Sequence, residues 1–198
     1  AFIVITPDTS YSILPSIAGG LSISIMADWN ELKEFFNEDK GLYFAVKRAF
    51  NDLYRYDKRL ICNMPSEIIN TEELGKHYVG ERSIVFRFAH YLQNELVKAP
   101  KYATYNLDCE YNRNGVETKD LPSFPNGTFP DLIIHKRGKN YPTNLVVMEF
   151  KTYWNTDTAR DVVKVKEFIN KKGDYRYKYG LVVLIGKTLA ETKFEVYK

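Results

Sequence analysis

Histidine and cysteine are scarce in this 198-residue chain: there are three of the first (His77, His90, His135) and two of the second (Cys62, Cys109). Two cysteines cannot build a disulfide framework, and neither residue type recurs at a metal-ligand spacing. A disulfide-stapled scaffold and a Cys/His zinc cluster are therefore not expected, and a reduced, cytoplasmic setting is. A strong charge of one sign is also missing. The 28 Lys and Arg against 25 Asp and Glu leave a formal net charge of +3, which allows an anionic partner without requiring one. Between Asp8 and Asp28 there is no charge, yet Pro15, Gly19, Gly20 and repeated Ser break up the apolar block and no basic segment precedes it. Neither a membrane span nor an export signal fits that pattern. Leu21, Ile23 and Ile25 alternate with serines as in a short strand. MADWNELKEFF, from Met26, resembles a natural beginning, so residues 1–25 are expected to be an accessory or non-native, dispensable segment.

What is present is a chain of ordinary globular composition, 44% apolar and 27% charged, of a length that builds one core. From Trp29 to Arg59 apolar residues recur at helical spacing, and a break near Asp39 to Gly41 divides them into two helices. The second carries Lys47, Arg48, Arg55, Lys58 and Arg59 off its apolar stripe, where a solvated face or a phosphate-contacting face would both fit. Asn63 to Gly80, with Pro65, Gly75 and Gly80, is expected to connect. GERSIVFRFAHYLQNELVKAP predicts a helix with Glu81 and Arg82 in its first turn and Pro100 closing it. ATYNLDCEYNRN alternates as a strand, and Asn114 to Thr128 is expected to be a long loop. Two strands follow, Asp131 to His135 and Leu145 to Tyr153. TARDVVKVKEFIN predicts a helix capped by Asp157 or Thr158, and YGLVVLIG a strand buried on both faces.

Chemistry concentrates in the strand pair. Alternate side chains of a strand share a face, so Glu149 and Lys151 point one way with Val147, and Phe150 points the other with Val146 and Met148. Such a strand is apolar at its start and opens into a polar cleft at its end. If the two strands form an antiparallel hairpin, Asp131 at the start of the first lies near Glu149 at the end of the second. Two converging carboxylates with an ammonium one step away suit Mg2+, which takes one or two carboxylates and leaves other positions to water and phosphate. Pro7-Asp8 followed by Glu31-Leu32-Lys33 offers the same letters, but in a helical pattern, where residues two apart do not share a face.

Pro130-Asp131, seventeen intervening residues and then Glu149-Phe150-Lys151, on a hairpin preceded by a Glu-bearing helix, resembles the PD-(D/E)XK nuclease superfamily. The resemblance implies a mixed α/β fold with a restriction-endonuclease-like core: helix, three strands, helix, strand over residues 81–186, within a unit of 81–198, after a helical extension at 26–80. It also implies a metal-dependent nuclease acting on nucleic acid, most simply DNA. Asp131 and Glu149 would be metal-binding carboxylates, Lys151 the catalytic lysine, and Glu81 the acid that some members supply from the first helix. Mg2+ would be the cofactor, with Mn2+ a substitute, and a homodimer would be compatible. A module that keeps the fold but binds nucleic acid without cleaving it is the alternative. Asp161 and Lys164, on the helix after Lys151, have reach of the site as one option and are expected on the surface, Glu110 is a spare carboxylate, and His135 is expected to pack in the hairpin or face solvent. DYRYKYG, residues 174–180, is expected to form an edge strand, with base stacking by its tyrosines as the other option.

Overall fold

The computed structural model describes residues 26–62, 79–139 and 141–198. The segment 1–25, with its alternating run and Pro7-Asp8, and most of the connector expected at Asn63 to Gly80, with His77, lie outside the described residues.

Asp28 starts the first helix with a capping box. Its Oδ1 accepts from the backbone N–H groups of Asn30 (2.7 Å) and Glu31 (3.0 Å), while Glu31 Oε2 accepts from the Asp28 N–H (2.7 Å). That helix, α1, runs Trp29–Phe35. A single 3-10 turn, Asn37–Asp39, separates it from α2, Lys40–Tyr56. The turn is fixed by Asp39, a buried carboxylate that accepts from Tyr102 Oη (2.8 Å), Tyr179 Oη (2.7 Å), Lys178 Nζ (2.6 Å) and Lys101. Short α3, Lys58–Cys62, follows, and then α4, Glu81–Leu96. Leu42, Ala45, Val46, Ala49, Phe50 and Leu53 of α2 and Val85, Phe88, Ala89, Leu92 and Leu96 of α4 are all buried, as the helical spacing predicts. No described helix is long and apolar enough to cross a membrane.

The strands are β1 (Asn106–Cys109), β2 (Arg113–Asn114), β3 (Glu117–Thr118), β4 (Leu132–His135), β5 (Val146–Thr152), β6 (Tyr179–Ile185) and β7 (Lys193–Tyr197), with α5 (Ala159–Ile169) between β5 and β6. Five of them form one mixed sheet in the order β1-β4-β5-β6-β7, antiparallel except for β5 and β6, which α5 joins as a parallel pair. On one sheet face Met148, Phe150, Leu181 and Val183 share a core with α1, α2 and α4. On the other, Ile133, Val147 and Val182 pack with Val165 and Phe168 of α5. The protein is thus a mixed α/β molecule with helices on both faces of the sheet.

Gly180 sets how closely α5 lies on β6. A Cβ there would stand 2.5 Å from Val165 Cγ1 and 2.8 Å from Ile169 Cγ2, so only glycine lets the helix seat at this depth.

The structure departs from the sequence expectations in four places outside the site. The strand expected through Asn114 stops at Cys109, because Glu110 takes a left-handed conformation (φ 48°) and turns the chain out of the sheet. The expected long loop contains the small β2-β3 ribbon, paired Asn114 to Glu117. A fifth sheet strand, β7, was not expected; Phe194 in it exchanges two backbone hydrogen bonds with Ala27 (2.6 and 2.9 Å). Finally, DYRYKYG is neither an edge strand nor a stacking platform. Tyr175, Tyr177 and Tyr179 are all buried: the first two lie against Phe168, the third against Phe35 and Phe36. Burial of so much aromatic surface outweighs the pattern of alternating bases.

Candidate active site

The hairpin forms with the register that the alternation requires. Leu132 pairs with Met148 and Ile133 with Val147 in antiparallel β4 and β5, so Asp131, one step before β4, arrives beside Glu149 and Phe150. Its Oδ2 accepts from the Phe150 N–H at 2.8 Å. Glu149 is enclosed, 1% exposed, and its Oε2 meets Lys164 Nζ at 2.6 Å while its Oε1 has no hydrogen-bond partner. Lys151, two residues on and sharing the face of Glu149, lies where the sheet ends between α4 and α5. It faces Asp161 Oδ2 at 3.0 Å and Glu81 Oε1 at 3.5 Å. Glu81, in the first turn of α4, keeps its Oε2 buried without a partner.

The four residues singled out in the sequence, Asp131, Glu149, Lys151 and Glu81, therefore converge at one end of the sheet. Two more join them that were expected on the surface. Asp161 is buried, and the Lys164 side chain is 14% exposed, with its Nζ also 3.4 Å from the Phe129 carbonyl. The signal was present in the spacing: Asp161 and Lys164 precede the buried Val165 and Phe168 by four residues each, so all four share the inward face of α5. His135 is in the hairpin but away from the cluster, buried with its Nε2 2.8 Å from Asp108 Oδ2. Glu110 forms an ion pair with Arg82 at the rim.

The electrostatics follow from this crowding. Burial, and then the neighbouring Asp131, raise the Glu149 carboxyl well above its ordinary value despite Lys164. Burial also raises Asp131, against the Phe150 N–H and both lysines, and raises Glu81, with Lys151 opposing it and Asp131 assisting. Lys151 moves the other way. Burial pulls its ammonium down, but Asp161, Glu81 and Asp131 outweigh it, and the net shift is upward. Lys151 is therefore a positively charged donor at neutral pH, not a base.

Among the described residues no three His, Cys, Asp or Glu side chains gather into a metal-holding group. The side chains that could hold a hard divalent cation are Asp131 and Glu149. Mg2+ is content with one or two carboxylates and several waters, and Asp131 beside Glu149, with Oε1 unpartnered in a site where negative charge is costly, is such a pair. Comparison with protein-family models, with curated proteins and with solved structures finds no match to this chain.

Proposed function

We propose that this protein is a Mg2+-dependent nuclease that hydrolyses phosphodiester bonds, in DNA, on a core of the restriction-endonuclease-like type. The observation that carries the proposal is the hairpin register: it sets the Asp131 carboxylate beside Glu149, with the Lys151 ammonium on the same face and one Glu149 oxygen free. In this reading Asp131 and Glu149 hold the cation. Bound there, Mg2+ would lower the pKa of a water and offset negative charge at the phosphate. Lys151 donates to the developing anion or orients the attacking water. Glu81 and Asp161 hold Lys151 from opposite sides, α4 and α5, and keep it protonated. Mn2+ serves in place of Mg2+.

The test is cleavage of single-stranded, linear duplex and supercoiled DNA with Mg2+ by the wild type and by Asp131→Ala and Lys151→Ala. Each variant should lose about a hundredfold or more in rate, the size seen when a charge-stabilising donor is removed, with its circular dichroism unchanged. Wild-type rates in both folded variants would overturn the assignment.

One observation favours a second reading, a nucleic-acid-binding module without hydrolysis: Lys164 Nζ already sits 2.6 Å from Glu149 Oε2, where its charge partly does a metal's work. Titration with Mn2+ separates the two. Binding that disappears in Asp131→Ala belongs to the nuclease, and no uptake by the wild type belongs to the binding module.

A further inference from the structure

Next to the charged cluster lies a pocket of about 210 Å3. Its α4 wall is made of Glu81, Arg82, Val85 and Phe86, and Cys109, Glu110 and Asp131 face them across it. Glu81 and Asp131 thus belong to both the cluster and the pocket, which leaves no gap between them. We propose that this pocket receives one unpaired nucleobase of a single-stranded DNA substrate, with that nucleotide's phosphate directed toward Asp131, Glu149 and Lys151. The proposal rests on the nuclease reading and specifies its substrate.

Size, surface and charge agree on that occupant. A dry cavity of about 150 Å3 holds a benzene ring, so one of 210 Å3 admits a heterocyclic base. Val85 and Cys109 supply apolar surface, the latter as a neutral thiol, since burial pushes it up to about 11. Phe86 is a large aromatic side chain left 64% exposed on α4, and a base stacked on its ring would cover it. Of the wall's polar groups, Glu81, whose Oε2 has no partner, and Glu110 can accept from the exocyclic amines and ring N–H groups of a base. Arg82 is the basic group of the wall. It stands one helical turn before Phe86, paired with Glu110 at the solvent-exposed rim, where it can exchange that carboxylate for a backbone phosphate as the strand enters. Glu110 is set at the rim by its left-handed backbone (φ 48°). A paired base cannot enter without leaving its stack, which costs a few kcal/mol, whereas a base of a single strand enters without that penalty.

The experiment compares binding of a fluorescent oligothymidine with binding of an oligomer of the same length built of abasic sites, once with Ca2+ and once with EDTA. The wild type should prefer the strand with bases, Phe86→Ala should lose that preference by about tenfold, the effect of removing one stacking ring, and Phe86→Trp should keep it. Phe86 is exposed, so its replacement leaves the fold intact. If the wild type shows no base preference under either condition, or if Phe86→Ala retains it in full, the subsite assignment is overturned. That failure is distinct from failure of the nuclease reading, which shows as Mg2+-dependent cleavage indifferent to Asp131→Ala.

Discussion

At the scale of single residues, the cost of the site is concentrated in Glu149. A carboxylate enclosed beside Asp131 is tolerated only because Lys164 touches one oxygen, and the other has no partner. Its raised pKa has a definite thermodynamic sign. Between the ordinary carboxyl value near 4 and the higher folded value, the folded state binds more protons than the unfolded one, so this group's contribution to stability falls as pH rises. Glu149→Gln removes that dependence. In EDTA, the melting temperature of the variant minus that of the wild type should therefore grow from about pH 4.5 to neutrality. A difference that stayed flat or shrank over this range would contradict the shift. The same protons must leave before a cation can bind, so the acid limb of cleavage activity should lie above the ordinary carboxyl range. Lys151, whose ammonium is favoured by Asp161 and Glu81, should add no titration in the neutral range.

At the scale of elements, β5 and α5 build the site together, and their separation is set by Gly180. Gly180→Ala would drive a methyl group into Val165 and Ile169 and lift α5 from the sheet. The expected loss is about 1–3 kcal/mol, typical of overpacking, measured by denaturant unfolding. Cleavage should fall by more than the unfolded fraction explains, because Asp161 and Lys164 travel with the helix. Unchanged activity in the folded variant would mean that α5 does not position the site. Elements were legible where apolar residues keep a period: α2, α4, α5 and the β4-β5 pair are as their spacing predicts. They were not legible where a single backbone angle or a tertiary contact decides. Nothing in DCEYN announces that Glu110 turns left-handed, and β7 depends on pairing with β6 more than on its own five residues. The alternating tyrosines of 174–180 face inward because α5 and the Asp39 turn offer surfaces to cover them. Alternation placed Glu149 and Lys151 on one face, and a hairpin pairing of the two strands added Asp131, whereas Asp161 and Lys164 needed the apolar stripe of α5 to be followed back to its charged residues.

At the scale of the whole molecule, the site is a seam between two helical layers where buried carboxylates crowd, and on the proposed reading a cation there should stabilise the fold. A ligand that binds only the folded state stabilises it by mass action, about 2.7 kcal/mol at a hundred times its dissociation constant. Mg2+ or Mn2+ should therefore raise the melting temperature of the wild type, and Asp131→Asn should abolish the increase while leaving the metal-free melting temperature at or above that of the wild type. An equal rise in both proteins would place the ion elsewhere. On the face of α1, α2 and α4 the core is continuous: Phe88 of α4 meets Phe150 of β5, and Phe50 of α2 meets both Phe88 and Phe194 of β7.

The two backbone bonds between Ala27 and Phe194 bear on how copies of this molecule meet. An open sheet edge is an invitation to another chain, and this sheet has two outer strands, β1 and β7. At β7 the segment before α1 already occupies backbone groups at Phe194, on the side a foreign strand would need. At β1 the turn at Glu110 ends the strand after four residues. Each outer strand thus offers a foreign chain less open backbone than a long unpaired edge would: β7 at Phe194 through Ala27, and β1 through its length of four residues.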